Sequence, residues 1–332
     1  KIFNNKTILI TGGTGSFGNE CTKYILKNFK VKKLIIYSRD ENKQYLMEKK
    51  ISHSKLRFFL GDIRDLERLN MAMRGVDYVI HAAALKHVPI AEYNPIECIK
   101  TNIYGAQNII SSAITNNVKR VMALSTDKAT NPVNLYGASK LAAEKLFLAA
   151  NALTGKRDII FSIVRYGNVL SSRGSVIPFF KNLINEGSKF LPITHKDMTR
   201  FFITLPDSVK FVIDSFESMK LGEVFVPKLH SFKITDLAKS IKENISFKFV
   251  GIRPGEKLNE VLCAKEESFN ILESKKGYII LKDMIDKKRY QKLSKNKSLK
   301  NVSLNFYYSS DNNPLFLNYL QIKKKFPKLK IS

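Results

Sequence analysis

The chain has 332 residues, 44% of them apolar, a size and composition that give one large domain or two unequal ones around a buried core and exclude a disordered or fibrous protein. Its 56 basic and 29 acidic residues leave a net charge of +27, but the excess is mostly Lys, spread along the chain and densest at Lys287-Lys288-Arg289 and Lys323-Lys324-Lys325. Without Arg-aromatic interleaving or a nucleic-acid module, that charge reads as a solvated surface with some attraction for an anionic nucleotide, and no nucleic-acid partner is expected.

Thr7-Ile8-Leu9-Ile10 is a short apolar run closed by Thr11-Gly12-Gly13-Thr14-Gly15-Ser16-Phe17-Gly18, and a helical pattern follows through Cys21, Ile25 and Leu26. Further strand-like runs are Lys33 to Tyr37, Leu56 to Leu60, Tyr78 to Ile80, Arg120 to Leu124 and Ile159 to Val164, each separated from the next by a helix-length stretch. Buried strands alternating with helices predict an α/β fold with a parallel, doubly wound sheet of the Rossmann type. Past Tyr166 the pattern loosens around Pro178, Pro192, Pro206 and Pro227. The main boundary is therefore expected near 167, with residues 1–167 binding a dinucleotide and 168–332 forming a smaller, mainly substrate-binding part. A segment near 203–229, with a helix from Asp207 to Met219 and a strand at Glu223 to Val226, is expected to return to the sheet. The last ~50 residues show little pattern.

No run approaches the ~18 apolar residues of a membrane span, and the first residues lack the apolar region of a signal peptide, so a cytoplasmic chain without membrane association is expected. Cys21, Cys98 and Cys263 lie outside any C-x-x-C pattern, and the five His show no paired spacing, so neither a disulfide nor a metal site is expected.

The glycine turn after the first strand lets backbone N–H groups and a helix N-terminus meet a pyrophosphate, with Gly12 and Gly15 allowing close approach, Gly18 allowing helix packing, and Thr14, Ser16 and Phe17 completing the turn. The second strand ends Tyr37-Ser38-Arg39, where NAD enzymes place an acid on the ribose hydroxyl. Ser38, Arg39 and Lys43 suit a 2′-phosphate instead, so NADP is expected over NAD, with Asp40 and Glu41 left to cap the next helix. Asp62 and Ile63 are placed beside the adenine, and Ala82, Ala83 and Lys86 along the cofactor.

Between Ser125 and Lys140 the chain carries Thr126, Asp127, Lys128, Tyr136 and Lys140. Tyr136 and Lys140 at i and i+4 share a helix face, so an ammonium there can lower the phenol pKa toward use as a base. Thr126 falls at the carboxyl edge of the sheet, where such folds hold ligands. A simple oxidoreductase or epimerase needs no more than these three. Asp127 and Lys128 therefore imply a second proton-transfer task, or else are a helix cap and a surface charge.

With these stretches the chain resembles the extended short-chain dehydrogenases/reductases and, more narrowly, the configuration-inverting bacterial UDP-N-acetylglucosamine 4,6-dehydratases. The matching segments are TGGTGSFG at 11–18, YSRDE at 37–41, GDIRDLERL at 61–69, HAAALKHVPIAEYNPIECIKTN at 81–102, LSTDKA at 124–129, NLYGASK at 134–140, VRYGNVLSSRGSVIPFF at 164–180, MTRFFIT at 198–204 and GIRPGEKLNE at 251–260. Retaining dehydratases resembling the dTDP-glucose enzymes carry Thr-Asp-Glu, whereas Lys128 stands at the third position here.

The resemblance implies oxidation at C4 of UDP-GlcNAc by Tyr136 with Thr126 and Lys140, removal of the C5 proton by Lys128, protonation of the C6 hydroxyl by Asp127, and inversion at C5, with NADP regenerated in each turnover. It implies UDP-sugar contacts from Lys86, Asn168, Arg173, Ser175, Thr194, Arg200, Arg253 and Glu256, and a homo-oligomer built from dimers, commonly a hexamer. It places the product at the first step of pseudaminic acid biosynthesis, bound for flagellin or a surface polysaccharide. A related inverting branch feeding fucosamine-type sugars shares much of this site, and a UDP-hexose 4-epimerase would use the same fold while leaving Asp127 and Lys128 unexplained. A dinucleotide-fold scaffold with a sensing or polyanion-binding role would leave all five side chains unexplained.

Overall fold

The computed structural model describes residues 2–155, 157–170, 175–294 and 298–329. Strands and helices alternate through the first half: β1 (Thr7–Thr11), α1 (Ser16–Asn28), β2 (Lys33–Ser38), α2 (Glu41–Lys50), β3 (Leu56–Leu60), α3 (Leu66–Ala72), β4 (Tyr78–His81), α4 (Val88–Tyr93), α5 (Pro95–Ile99), α6 (Gly105–Thr115), β5 (Arg120–Thr126), α7 (Leu135–Ala150) and β6 (Ile160–Tyr166). The second half has shorter elements: β7 (Asn168–Val169), α8 (Val176–Asn185), β8 (Phe190–Ile193), β9 (Thr199–Ile203), α9 (Leu205–Ser218), β10 (Val224–Pro227), β11 (His230–Lys233), α10 (Ile234–Ile241), β12 (Ser246–Phe249), β13 (Val261–Cys263), β14 (Ile271–Glu273), β15 (Gly277–Ile280), α11 (Met284–Ser294), β16 (Lys300–Asn301), β17 (Tyr308–Ser309) and α12 (Tyr319–Lys325).

Every residue of β1 is buried, because a central parallel strand is covered by helices on both faces. Among the described residues, ten strands form one sheet in the order β3-β2-β1-β4-β5-β6-β10-β15-β14-β16. Strands β3 through β10 run parallel, and β15, β14 and β16 continue the sheet antiparallel. The strand order reverses at β1, which lies between β2 and β4, and a ligand cleft opens beyond the carboxyl ends at such a point. The register of β5 on β6 pairs Thr126 with Tyr166 at that same edge. Residues 203–229 supply α9, which packs on α1, and β10, which joins β6.

A second core beside the sheet gathers Leu170, Ile177, Phe180, Leu191, Phe202 and Phe232, with the rings of Phe202 and Phe232 stacked at 4.0 Å. The weakly patterned C-terminus folds back onto the rest: β17 pairs antiparallel with β13, and Tyr308 packs 4.8 Å from Phe201 and 5.0 Å from Tyr278. Strands of two or three residues are too short to show an alternation, which is why sequence periodicity does not find β14, β16 and β17. Among the described residues no helix is long and apolar enough to cross a membrane.

Candidate active site

A cleft of about 780 Å³ lies along the carboxyl edge of the sheet and is lined by Gly12, Thr14, Gly15, Ser16, Phe17, Gly18, Ser38, Arg39, Lys43, Asp62, Ile63, Ala82, Ala83 and Lys86. Tyr136 and Lys140, the other two residues expected at the cofactor, line the same cleft at its other end. Gly12 sits at φ +63°, and a Cβ there would stand 2.8 Å from the backbone of Ala83, so only glycine lets the two loops approach. Below them the Thr11 hydroxyl lies 2.7 Å from His81 Nδ1 and accepts from the Ala83 N–H at 3.3 Å, and burial pushes the imidazole pKa down to about 3, keeping the ring neutral. The N-terminus of α1 has no side-chain cap, which leaves its N–H groups facing the cleft for an anion. These features fit a dinucleotide pyrophosphate.

At the far end of the cleft, Arg39 is exposed and faces Asp62 at 3.6 Å, while Lys43 pairs with Asp40 at 2.5 Å. Asp40 caps α2 by accepting from the Lys43 N–H at 2.9 Å, as expected of it. Asp62 is engaged by Arg64, whose guanidinium donates to it at 2.7 Å.

The catalytic candidates meet at the other end. Helix α7 begins where Asn134 accepts from the Gly137 N–H at 2.7 Å, and its next turns put Tyr136, Lys140 and Glu144 on one buried face. Strand β5 delivers Thr126 opposite, and the chain turns at once through Asp127 and Lys128. Thr126 Oγ1 donates to Asp127 Oδ1 at 3.0 Å, and Lys128 Nζ donates to the same oxygen at 3.1 Å and to Asn168 Oδ1 at 3.3 Å. Asp127 is fully buried and lies behind Lys128, with Oδ2 lacking any partner.

Burial pushes the Tyr136 phenol up to about 12, against the pull of the Lys128 ammonium and of a hydrogen bond with Thr126. The sequence points to Lys140 as the cation acting on the phenol, and the Lys128 ammonium also pulls on it. Lys140 donates to the Leu124 carbonyl at 2.7 Å, and burial brings its ammonium down to about 8 even though Glu144 resists. Burial also works against the charge of Lys128, yet Asp127 and Glu260 outweigh it and hold the ammonium above its usual range. For Asp127, burial raises the carboxyl pKa, Lys128 opposes the rise and Glu260 adds to it.

The substrate candidates divide. Lys86, Asn168 and Ser175 line the cleft, and the Ser175 hydroxyl is buried without a partner. Arg200 does not line it: its guanidinium is buried, donates to the carbonyls of Thr199, Leu258 and Lys257 at 2.7 to 3.0 Å and faces Glu260 at 3.7 Å. Arg253 and Glu256 face each other at 4.0 Å away from the cleft lining, and Thr194 bonds Met198 Sδ at 3.0 Å. Arg173 lies outside the described residues.

Two residues without a role in the sequence analysis enter the site. Asn102, in a single π-helical turn after α5, accepts from the Leu85 N–H at 2.9 Å and donates to the Leu85 carbonyl and Ser139 hydroxyl, also at 2.9 Å. It ties the loop after β4 to α7 just beside Tyr136. Glu260 lies 3.2 Å from Lys128. Both close a recognised motif, at positions 102 and 260, and that placement was their only sequence signal.

Gly137 shows how tightly the turn is packed. A Cβ at this position would stand 2.2 Å from the Lys128 carbonyl oxygen, a backbone atom that cannot rotate away. Gly137→Ala is expected to displace Lys128 and to lower kcat on the order of 100-fold, while overpacking costs about 1–3 kcal/mol of stability. Turnover and a thermal melt measured together check this, and a variant with native kcat would contradict it.

The chain matches the family model described as polysaccharide biosynthesis protein over residues 8–282. It is 56% identical over 318 residues to a UDP-N-acetylglucosamine 4,6-dehydratase (inverting) of Campylobacter jejuni, covering 95% of each chain. It is 46% identical over 273 residues to a UDP-glucose 4-epimerase of Rickettsia akari, covering 80% of each. Among solved structures, the Pen protein of Bacillus thuringiensis superposes with a TM-score of 0.90 at 35% identity over 99% of both chains. With that match spanning the sheet, the cleft and the Asp127–Lys128 turn, the chain belongs to the polysaccharide biosynthesis protein family, within the extended short-chain dehydrogenases/reductases.

Proposed function

We propose that the protein removes water from UDP-N-acetylglucosamine between C5 and C6 and inverts C5, giving a 4-keto-6-deoxy sugar of L-arabino configuration. The observation that carries this reading is the hydrogen-bonded Asp127–Lys128 couple beside Tyr136 and Thr126. An epimerase needs no such couple. The name of the Campylobacter jejuni relative supports the same reading.

Tyr136 acts as its phenolate, which the Lys128 ammonium and the hydrogen bond with Thr126 favour against burial, and it takes the proton of the C4 hydroxyl as that carbon is oxidised and becomes a phenol. The resulting ketone acidifies the C5 hydrogen. Before elimination, Lys128 hands one proton to Asp127 across their 3.1 Å bond, which makes a neutral amine and a carboxylic acid in one step. The amine takes the C5 proton, the C–H electrons form the C5–C6 double bond, and the departing C6 oxygen leaves as water with a proton from the Thr126 hydroxyl, which lines the cleft and is resupplied by Asp127 across their 3.0 Å bond. The couple thereby returns to ammonium and carboxylate. A nicotinamide dinucleotide in the cleft would supply the hydride acceptor at C4 and the hydride donor at C6, and C5 then takes a solvent-derived proton on the opposite face, which completes the inversion. Asn168 and Ser175 hold the sugar nucleotide near the couple, and Lys86 meets its phosphates or the cofactor's.

The cofactor is NADP. Arg39 and Lys43 stand at the exposed end of the cleft, where Arg39 faces Asp62 at 3.6 Å and Lys43 pairs with Asp40, and a 2′-phosphate would draw both cations from these exposed pairs. A charged hydrogen bond of about 1.5–3 kcal/mol makes NADP bind roughly 10- to 150-fold more tightly than NAD. Titration by fluorescence quenching checks this, and Arg39→Ala is expected to erase most of the preference. Equal affinities in the native protein would overturn it.

The product enters pseudaminic acid biosynthesis, and the chain works as a homo-oligomer; exposed Ile90, Tyr93, Ile96 and Tyr104 support an interface there. Proton NMR of UDP-GlcNAc in deuterated water with trace NADP tests the reaction. A new C6 methyl signal, deuterium at C5 and L-arabino couplings are expected. The Rickettsia akari relative's name makes 4-epimerisation the reading to separate, and UDP-GalNAc as sole product would replace the dehydratase with an epimerase.

A further inference from the structure

Glu260 is almost fully buried, at 2% exposure, between strand ends that belong to different parts of the fold. One carboxylate oxygen lies 3.2 Å from Lys128 Nζ and 3.7 Å from Arg200 Nε, and the other lies 3.6 Å from Lys257 Nζ. Its backbone is fixed by the C-terminal segment: the Glu260 N–H donates to Ser310 Oγ at 2.9 Å, the Ser310 N–H donates to the Glu260 carbonyl at 2.9 Å, and the Ser310 hydroxyl lies 2.6 Å from that of Thr199. Ser310 therefore positions both Glu260 and the residue before Arg200. No ordinary salt bridge needs that much scaffolding. A buried carboxylate against three cations and a second buried carboxyl group is costly unless the charges are matched.

We propose that Glu260 is a positioning residue that keeps one proton on the Asp127–Lys128 couple by presenting a fixed negative charge 3.2 Å from the Lys128 ammonium. This rests on the reading of that couple as the elimination acid and base, and goes beyond it by assigning the group that sets its protonation.

The couple works only with one proton. With none it has no acid to give the leaving oxygen, and with two it has no base for C5. The groups facing it are the Tyr136 phenol on α7, Glu260, the Arg200 guanidinium on β9 and the Lys257 ammonium before β13. Burial resists ionisation of Glu260, but Lys128, Arg200 and Lys257 overcome it and hold the carboxyl below its usual range. Glu260 thus stays negative and opposes loss of the couple's proton, while Arg200 and Lys257 oppose uptake of a second.

The test is a carboxyl 13C NMR titration of Asp-labelled protein, with the Asp127 signal identified by its loss in Asp127→Asn. In Glu260→Gln the Asp127 midpoint is expected to fall by about one pH unit or more, and both limbs of the kcat profile are expected to move to lower pH. Glu260→Asp, with a charge set further back, is expected to lie between the two. A merely structural Glu260 would lower kcat at every pH and leave the limbs and the Asp127 midpoint in place, which overturns the proposal. Should Glu260→Gln fail to fold, Glu260→Asp decides by the same comparison. Should the native protein form no 6-deoxy product, the dehydratase reading falls, while the NMR titration still decides the part played by Glu260.

Discussion

Replacing Lys128 by Met is expected to abolish dehydration of UDP-GlcNAc, with a loss on the order of 100- to 10,000-fold in kcat. The amine is the only basic side chain in contact with both Asp127 and the substrate side of the cleft among the described residues, and neither Asn168 nor Thr126 can take a proton from carbon. The variant should form no C6 methyl group and wash no deuterium into C5, while Tyr136 and Lys140 still act at C4. UDP-sugar affinity should change little, because Lys128 acts on C5 rather than on the phosphates. An epimerase would keep its activity in this variant, so full turnover of Lys128→Met would sink the dehydratase assignment. Removing the ammonium also leaves Asp127 and Glu260 buried without their shared partner. Both are then expected to hold protons to higher pH, which a carboxyl titration separates from the loss of the base itself.

The glycine turn, the strand ends and the Ser125 to Lys140 run were legible because each is local: the residues that act together lie within one turn or one helix start. Sequence spacing gave Tyr136 and Lys140 a common face, and α7 has it. What spacing could not give is that a second cation, Lys128, acts on the phenol, since it arrives from the end of β5 rather than from the helix. Glu260 and Ser310 were illegible for the same reason. Glu260 reaches Lys128 from 132 residues away along the chain, and Ser310, 50 residues further on, holds Glu260 in place. Arg200 reads from sequence either as a pyrophosphate ligand or as a structural ion-pair residue, because a guanidinium serves both. Burial spends its donors on three backbone carbonyls instead.

Arg165→Met is expected to destabilise the protein by about 3–5 kcal/mol, a fall in Tm on the order of 10 °C. Arg165 and Glu144 are each 3% exposed and joined by two hydrogen bonds, at 2.7 and 3.1 Å, and the same guanidinium donates to Glu267 at 3.0 and 3.1 Å and to the Leu262 carbonyl at 3.0 Å. Loss of the cation leaves the Glu144 carboxylate in the core with the Ser125 hydroxyl, at 2.5 Å, as its one remaining side-chain hydrogen-bond partner among the described residues, and with the Lys140 ammonium nearby. Glu267, about a quarter exposed, can turn to water, so the cost falls on Glu144. The double variant Arg165→Met/Glu144→Met removes the buried charge with its partner and is expected to recover most of the lost stability, which a double-mutant cycle read by thermal melts reports directly. A single variant as stable as the native protein would mean that the pair contributes little. The pair also bears on catalysis, because Ser125 precedes Thr126 in β5 and Glu144 lies one helical turn beyond Lys140 in α7. The guanidinium thus locks the strand end and the helix face that carry the catalytic groups to one another, and the single variant should lose kcat even at temperatures where it remains folded.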